Sequence, residues 1–175
     1  MSKDYDYVSG VLKTGTTEQL EELAELVDDF PNGEDDFTGR RWIRNAIDFG
    51  SSVAIAWMLE KKVDLAFSDD EGYPALLSAI VSERYDRYAI LEMLLEHGAP
   101  TDIRGINDWT SLHMAAARND VKALKLLLDY GADSTAKTRI DNYATPLEEA
   151  RMLGSNDAVK YLEAVAWQGA GADAD

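Results

Sequence analysis

Residues 108–117 read Asp-Trp-Thr-Ser-Leu-His-Met-Ala-Ala-Ala, and residues 126–133 read Leu-Leu-Leu-Asp-Tyr-Gly-Ala-Asp. Between them, residues 120–128 carry apolar side chains at the 3.6-residue period of an amphipathic helix. Gly131 then stands where a left-handed residue commonly ends a helix. The pattern predicts two short helices and a turn, a unit too small to bury its own apolar face. Stacking of similar units would supply the missing surface.

The same pattern returns along the chain, and an internal repeat of this kind determines the fold. Thr145-Pro-Leu-Glu-Glu-Ala150 is another copy, in which Glu148 takes the position of His113. Three less regular copies follow the same register. In two of them a start resembling residues 108–117 is followed by an end resembling residues 126–133, at residues 72–79 with 93–99 and at residues 39–46 with 58–64. The third copy is residues 7–27. In the copy at residues 7–27, Leu20, Leu23 and Val27 share one face of a predicted helix. Thr16 or Thr17 could cap the N-terminus of this helix.

These copies resemble the ankyrin repeat, whose Thr-Pro-Leu-His-x-Ala signature recurs about every 33 residues. Thr110-Ser-Leu-His-Met-Ala115 matches it, with Ser111 in place of proline. The resemblance implies an all-α ankyrin-repeat solenoid of four recognisable repeats plus a degenerate N-terminal helical cap. The predicted boundaries are 1–35 for the cap, 36–68, 69–104, 105–137 and 138–167 for the repeats, and 168–175 for a flexible acidic tail.

Composition limits the class of protein further. About half of the 175 residues are apolar (46%), enough to form a core. No apolar run approaches the roughly 18–20 residues that span a bilayer, and residues 1–7 are acidic and aromatic, unlike a secretory signal. We therefore expect a cytoplasmic protein. The absence of cysteine excludes disulfides and thiolate metal sites.

The charge is strongly negative, with 33 Asp and Glu against 17 Lys and Arg, a net charge of −16. Residues 1–40 hold 11 acidic and three basic side chains, half of that net charge. Such a field repels nucleic acid and anionic lipid and steers basic proteins towards the surface. We expect a monomer that binds another protein with a basic surface and neither nucleic acid nor membrane. Acidity that only maintains solubility is the alternative.

Few residues are candidates for catalysis. The resemblance implies that His113 fixes a loop by hydrogen bonds, and His97 stands at a helix C-terminus, where a cation complements the dipole. No catalytic or nucleotide-binding motif occurs. Residues 34–36 and 69–71 are acidic clusters without the spacing of a calcium loop, which favours solvated turns over a metal site. We predict a protein that is not an enzyme and holds no cofactor or metal.

The resemblance also implies where a partner binds, namely the projecting turns and the inner face of the first helix of each pair. Aromatic residues at three turns, Tyr73, Trp109 and Tyr143, are typical of interface hot spots. They could instead stack on each other and stiffen the turns. The candidate contact residues are Asp69, Asp70, Glu71, Tyr73, Arg104, Ile106, Asn107, Asp108, Trp109, Arg139, Asp141 and Tyr143 at the turns, with Ser82, Arg84, Tyr85, Met114 and Arg118 on or beside the helices.

Two departures from the repeat period lie in residues 82–88 and 138–143, which hold three and two extra residues. Insertions in repeat arrays map to loops, often on the binding side, although neutral drift is an equal alternative. Two tryptophans are less regular. Trp42 takes the proline position of its repeat, where we expect burial between the second and third units. Trp57 falls at a normally exposed position, where it would cover an apolar patch or form a second contact face.

These observations predict non-covalent recognition of a protein. A small acidic ankyrin protein resembles an inhibitor of a basic partner, for example a bacterial immunity protein that blocks a toxin. An adaptor or scaffold, or a regulatory subunit of an enzyme, is the alternative, because fold alone does not determine function.

Overall fold

The computed structural model describes residues 5–67, 71–140 and 142–172. Over these ranges the structure contains ten α-helices, one short 3-10 helix and no β-strand, which confirms the predicted all-α repeat fold. The α-helices are α1 Tyr5–Thr14, α2 Thr17–Leu26, α3 Trp42–Phe49, α4 Ser52–Glu60, α5 Ala75–Val81, α6 Arg87–Glu96, α7 Ser111–Ala117, α8 Val121–Asp129, α9 Pro146–Leu153 and α10 Asn156–Ala172. The chain divides into two compact units, residues 1–100 and 101–175.

The first unit contains three helix pairs. The first helices of the pairs pack in sequence, α1 on α3 and α3 on α5, and the second helices do the same, α2 on α4 and α4 on α6. Each apolar face is thereby covered by the neighbouring pair. Leu12, Leu20, Ile47, Met58 and Leu77 are fully buried in this core. The N-terminal pair α1 and α2 therefore forms part of the core of this unit.

The second unit contains two helix pairs. Helix α7 packs on α8 and α9, and α10 packs on α8, α9 and α7. Leu112, Leu124 and Leu127 are fully buried here, and the last two belong to the amphipathic stretch of residues 120–128. The 3-10 helix Ile106–Asp108 lies before α7, in the turn that the sequence predicts to project.

The helix ends follow the predicted capping residues. Thr16 caps α2, accepting from the Gln19 amide at 3.4 Å while the Gln19 side chain accepts from the Thr16 amide at 2.9 Å. Gly98 and Gly131 follow α6 and α8 with φ of +79° and +82°, the left-handed conformation that glycine adopts without strain. At the C-terminus, α10 continues to Ala172, beyond the predicted start of a flexible tail at residue 168. Residues 173–175 lie outside the described residues.

Trp57 is only 3% exposed, although its position is normally an exposed one in this repeat. Its ring stacks on Phe30 with centroids 5.8 Å apart, and its Nε1 donates to Glu21 Oε1 at 2.9 Å. Phe30 belongs to the long connection between the first two helix pairs and covers this ring, so the contacts fit the cover of an apolar patch and not a second contact face.

Trp42 is fully buried, as expected, but its aromatic neighbours belong to the first repeat unit and not to the third. Its ring neighbours are Tyr5, stacked at 6.3 Å, and Phe30, edge-on at 6.2 Å. Both belong to the N-terminal segment that precedes its repeat. The aromatic side chains of this segment therefore hold α1 and the connection after α2 against α3.

Candidate protein-binding surface

The turn before α7 is tied to the turn before α9 by Asp108. Arg139 donates from Nη2 to Asp108 Oδ1 at 2.5 Å and from its backbone N to Oδ2 at 2.6 Å. Arg104 Nη1 donates to Asp108 Oδ2 at 3.1 Å and to its backbone carbonyl at 3.0 Å. The hydrogen bonds from Arg139 hold the pKa of Asp108 below its usual range. These three charged candidates therefore fix the turns to each other.

A similar pair joins two turns of the first unit. Arg40 Nη2 donates to both carboxylate oxygens of Glu71, at 2.6 and 2.8 Å, and this contact lowers the pKa of Glu71. The Arg44 guanidinium lies over the Tyr73 ring at 4.9 Å from its centroid. Glu71 and Tyr73 are thus already engaged within the chain, and Tyr73 is only partly exposed.

Four side chains project from the tied turns of the second unit, and we call them the turn-tip surface: Ile106, Asn107, Ile140 and Tyr143. Ile106 is 38% exposed, Ile140 48% and Tyr143 63%. Ile140 was missed as a candidate, although an isoleucine between polar turn residues was the feature that could have indicated it. Trp109 is partly buried. Among the described residues no ring contact joins Trp109 to Tyr143, so that step of the alternative aromatic ladder is not formed.

The insertion within residues 82–88 forms a loop between α5 and α6 that Arg84 fixes by hydrogen bonds. Arg84 donates from Nε and Nη2 to the two carboxylate oxygens of Asp86, at 2.8 and 2.7 Å, and from Nη1 to the carbonyl of Gly50. The pair raises the pKa of Arg84 and lowers that of Asp86. Ser82 accepts from the Arg84 amide at 3.3 Å, while Tyr85 is 99% exposed. Of these candidates, only Tyr85 projects fully.

The two remaining described candidates, Arg118 and Met114, differ in their exposure to solvent. Arg118 is exposed at the end of α7, but Met114 is only 6% exposed, because its position in α7 faces the core. Direct contact of a partner with the Met114 side chain is therefore not supported. Asp69, Asp70 and Asp141 lie outside the described residues.

Both histidines have structural hydrogen bonds. His113 is fully buried, and its Nε2 donates to the carbonyl of Ala144 at 3.0 Å, which is the loop-fixing role that the resemblance implies. Burial lowers the pKa of His113, so the ring is neutral. His97 is exposed at the end of α6, with Nδ1 2.8 Å from the carbonyl of Met93.

The acidic cluster at residues 34–36 organises a loop. Asp35 is 2% exposed and accepts from the Phe37 amide at 3.0 Å, Thr38 Oγ1 at 2.5 Å and Asn45 Nδ2 at 2.8 Å. Burial alone would raise the pKa of Asp35, but these hydrogen bonds outweigh it and the pKa is lowered. Within the described residues no group of three or more His, Cys, Asp or Glu side chains is arranged to hold a metal ion.

None of the helices described is both long and apolar enough to cross a bilayer.

The family comparison agrees with this geometry. The family model described as "Ankyrin repeats (3 copies)" matches residues 90–168. The chain belongs to the ankyrin-repeat family. The matched range begins within α6, contains α7, α8 and α9, and ends within α10, so it includes His113 and the tied turns.

Relatives of this ankyrin-repeat protein include plant and animal proteins. The chain is 32% identical over 120 residues to XBAT35 of Arabidopsis thaliana, a protein named as a candidate E3 ubiquitin-protein ligase. It is 31% identical over 123 residues to human BCL-6 corepressor-like protein 1, and 31% identical over 120 residues to human SH3 and multiple ankyrin repeat domains protein 1. These matches cover 67%, 70% and 68% of this chain but only 25%, 6% and 5% of the relatives.

The chain thus matches only a part of much larger proteins. Ankyrin repeats are protein–protein interaction modules, and this ankyrin protein is one of them. The ligase activity in the name of one relative belongs to a protein of which the match spans a quarter.

Proposed function

We propose that this ankyrin protein binds a basic partner protein in the cytosol and blocks its activity, as an immunity protein blocks a toxin, without catalysing a reaction itself. The observation that carries the proposal is the Asp108 tie between the two turns of the second unit. It holds Ile106, Asn107, Ile140 and Tyr143 at one exposed surface before any partner arrives. A preorganised surface of apolar and aromatic side chains binds with a smaller loss of conformational entropy.

Charge supports the proposed class of partner. Residues 1–100 contain 21 Asp and Glu against nine Lys and Arg, a net charge of −12, and residues 101–175 contain 12 against eight, a net charge of −4. A field of this size accelerates encounter with a cationic protein and weakens as salt screens it. The apolar turn-tip surface would then supply the contacts that persist after encounter.

Capture followed by an inhibition assay tests the proposal. The protein is immobilised, captured proteins are identified by mass spectrometry, and the main species is purified and titrated back. We expect a basic partner whose association slows at least about tenfold between low and high salt, since steering is electrostatic. Its activity should fall to a plateau at one-to-one stoichiometry.

Variants distinguish binding at the turn-tip surface from non-specific binding. Tyr143→Ala and Ile140→Ala should each weaken binding by about tenfold or more, as expected for hot-spot residues. Trp167→Ala is the matched control, because Trp167 is 83% exposed on α10, away from the turns. If the control weakens binding as much as the turn variants, or if the partner is acidic, the proposal is wrong.

An adaptor is the second candidate, and the relatives favour it, because the chain matches portions of larger proteins whose names include a corepressor-like protein. An adaptor would bind the same surface without lowering the activity of its partner. The inhibition assay therefore distinguishes the two roles.

A further inference from the structure

Helices α7 and α9 begin with the same capping arrangement but carry different residues at the third position. In α7 that residue is His113, which bonds Thr110 at the start of its own helix and, through Nε2, donates to the Ala144 carbonyl of the following turn. In α9 it is Glu148. The residue at this position is thus a hydrogen-bond donor to the next turn in α7 and a hydrogen-bond acceptor in α9.

One oxygen of Glu148 performs the capping. Oε2 accepts from the Thr145 amide at 2.8 Å and from Thr145 Oγ1 at 2.9 Å. These bonds lower the pKa of Glu148, so the carboxylate is charged at neutral pH. Among the described residues Oε1 has no hydrogen-bond donor. It therefore presents a charged acceptor to solvent at the position from which His113 reaches the next turn.

A pocket lies beside this oxygen. Its volume is ≈ 320 Å³, and its walls are Asn142, Ala144, Glu148, Arg151 and Met152. The Met152 side chain is half exposed at 51%, which leaves an apolar wall open. Arg151 donates to Glu163 Oε1 at 2.7 Å, so its positive charge is paired within the chain, and the charges of Arg151 and Lys137 make a small further contribution to the lowered pKa of Glu148.

We propose that this pocket binds a lysine or arginine side chain of the partner protein, with the cationic group on Glu148 Oε1 and the methylenes against Met152. The inference rests on the proposed function, since it names the residue type by which a basic partner is recognised. Long basic side chains combine an apolar stem with a charged head, and this pocket offers one surface to each. The carbonyl oxygen of the Asn142 amide is a second acceptor, because its nitrogen donates to Met152 Sδ at 3.4 Å.

Charge excludes a second copy of the chain as the preferred occupant. Each copy carries a net charge of −16, so two copies repel each other. If the pockets of two copies faced each other, the negatively charged Glu148 of one copy would also lie against the Glu148 of the other. A basic side chain from a different protein matches both the charged and the apolar wall.

Titration with single-residue probes tests the pocket in the intact chain. Spectra of ¹⁵N-labelled protein are recorded with the N-acetyl, N-methylamide derivatives of lysine and arginine, and with those of norleucine and citrulline as neutral counterparts. We expect shifts in residues 142–152 with the two cations, a dissociation constant on the order of millimolar and little response to the neutral probes. A larger response to lysine or to arginine identifies the preferred cation.

Glu148→Gln is the decisive variant, because a glutamine oxygen still completes the capping box while the charge is lost. It should fold normally and bind the cationic probes at least about fivefold more weakly, which corresponds to about 1 kcal/mol. Glu92→Gln, on the exposed side of α6, is the control and should change nothing. Equal binding of the neutral probes, unchanged binding by Glu148→Gln or an equal loss in Glu92→Gln overturns the inference.

The two proposals can fail separately. Capture that is lost with Tyr143→Ala but unaffected by Glu148→Gln, without probe binding, leaves the proposed function and removes the pocket. If the probes bind and this binding needs Glu148, but the protein captures no basic partner, the pocket stands and the proposed function is wrong.

Discussion

His113 and Ala144 are 31 positions apart, and the imidazole Nε2 of His113 donates to the Ala144 carbonyl at 3.0 Å. The other ring nitrogen, Nδ1, accepts from the Thr110 amide at 3.3 Å and lies 2.8 Å from Thr110 Oγ1. Since Nδ1 is the acceptor of a backbone N–H, the proton of the neutral ring is assigned to Nε2. One buried side chain thus caps α7 and fixes the turn that leads to α9.

Removal of this side chain should be costly. His113→Ala leaves the Ala144 carbonyl and the Thr110 amide without their partner inside the core, and we expect the free energy of unfolding to fall by about 2–4 kcal/mol. Urea unfolding followed by circular dichroism measures it. His113→Gln retains a capping oxygen and should lose clearly less. Equal losses would show that volume, and not hydrogen bonding, is what matters at this position.

The same residue predicts a pH dependence. Burial lowers the pKa of His113 below its ordinary value of 6.5, so the unfolded chain binds a proton here more readily than the folded one. The free energy of unfolding should therefore be fully retained above about pH 6.5 and fall as the pH drops below it. Comparison with His113→Gln isolates this contribution, because glutamine does not titrate. A difference between the two proteins that is constant from about pH 7.5 to 5 would contradict it.

Trp57 gives a third test of stability. Trp57→Ala removes a ring that is 3% exposed and stacked on Phe30, and a loss of about 3–5 kcal/mol in the free energy of unfolding is expected. Trp57→Phe keeps a ring but loses the Nε1 bond to Glu21, so its effect should be smaller. Trp167→Ala, at an exposed tryptophan, should be neutral, and thermal denaturation of the three variants provides the ranking.

The sequence was sufficient to predict the parts of this fold that depend on a local period. The repeated Thr-x-Leu-x-x-Ala pattern placed α7 and α9, and the amphipathic period placed α2 and α8. Gly131 was correctly assigned to a helix end because its role depends only on the backbone conformation at one residue.

The prediction of contacts between distant residues was weaker. The role of Trp57 was left open between the cover of an apolar patch and a second contact face, because nothing in the repeat period indicates that Phe30 lies beside it. Asp108 and Arg139 were interpreted as free contact residues for the same reason, since their bond depends on two turns 31 positions apart. Charged turn residues read from sequence alone do not reveal whether they meet a partner or each other.

Asp35 provides a test of the long connection between α2 and α3. Asp35→Ala leaves the Asn45 amide and the Thr38 and Phe37 donors without an acceptor, and we expect a loss of about 2–4 kcal/mol in the free energy of unfolding. Because the pKa of Asp35 is lowered in the fold, its contribution should be present above its ordinary value of 3.8 and disappear as the pH falls through the lower folded value. Asp36→Ala, at the exposed neighbour, is the matched control for acid and urea unfolding.

The tie between Asp108 and Arg139 should be visible as local order. Asp108→Asn weakens the bonds to Arg104 and Arg139, and amide hydrogen exchange should become faster in residues 104–109 and 138–144 while the helices α7 and α9 remain protected. Arg139→Ala should give the same pattern, and the double variant should add little, because both changes break one interaction. Asp102→Asn, at an exposed carboxylate nearby, should leave exchange unchanged. If Asp108→Asn exchanges like the wild type yet weakens partner binding, Asp108 contacts the partner directly and does not act by fixing the turns.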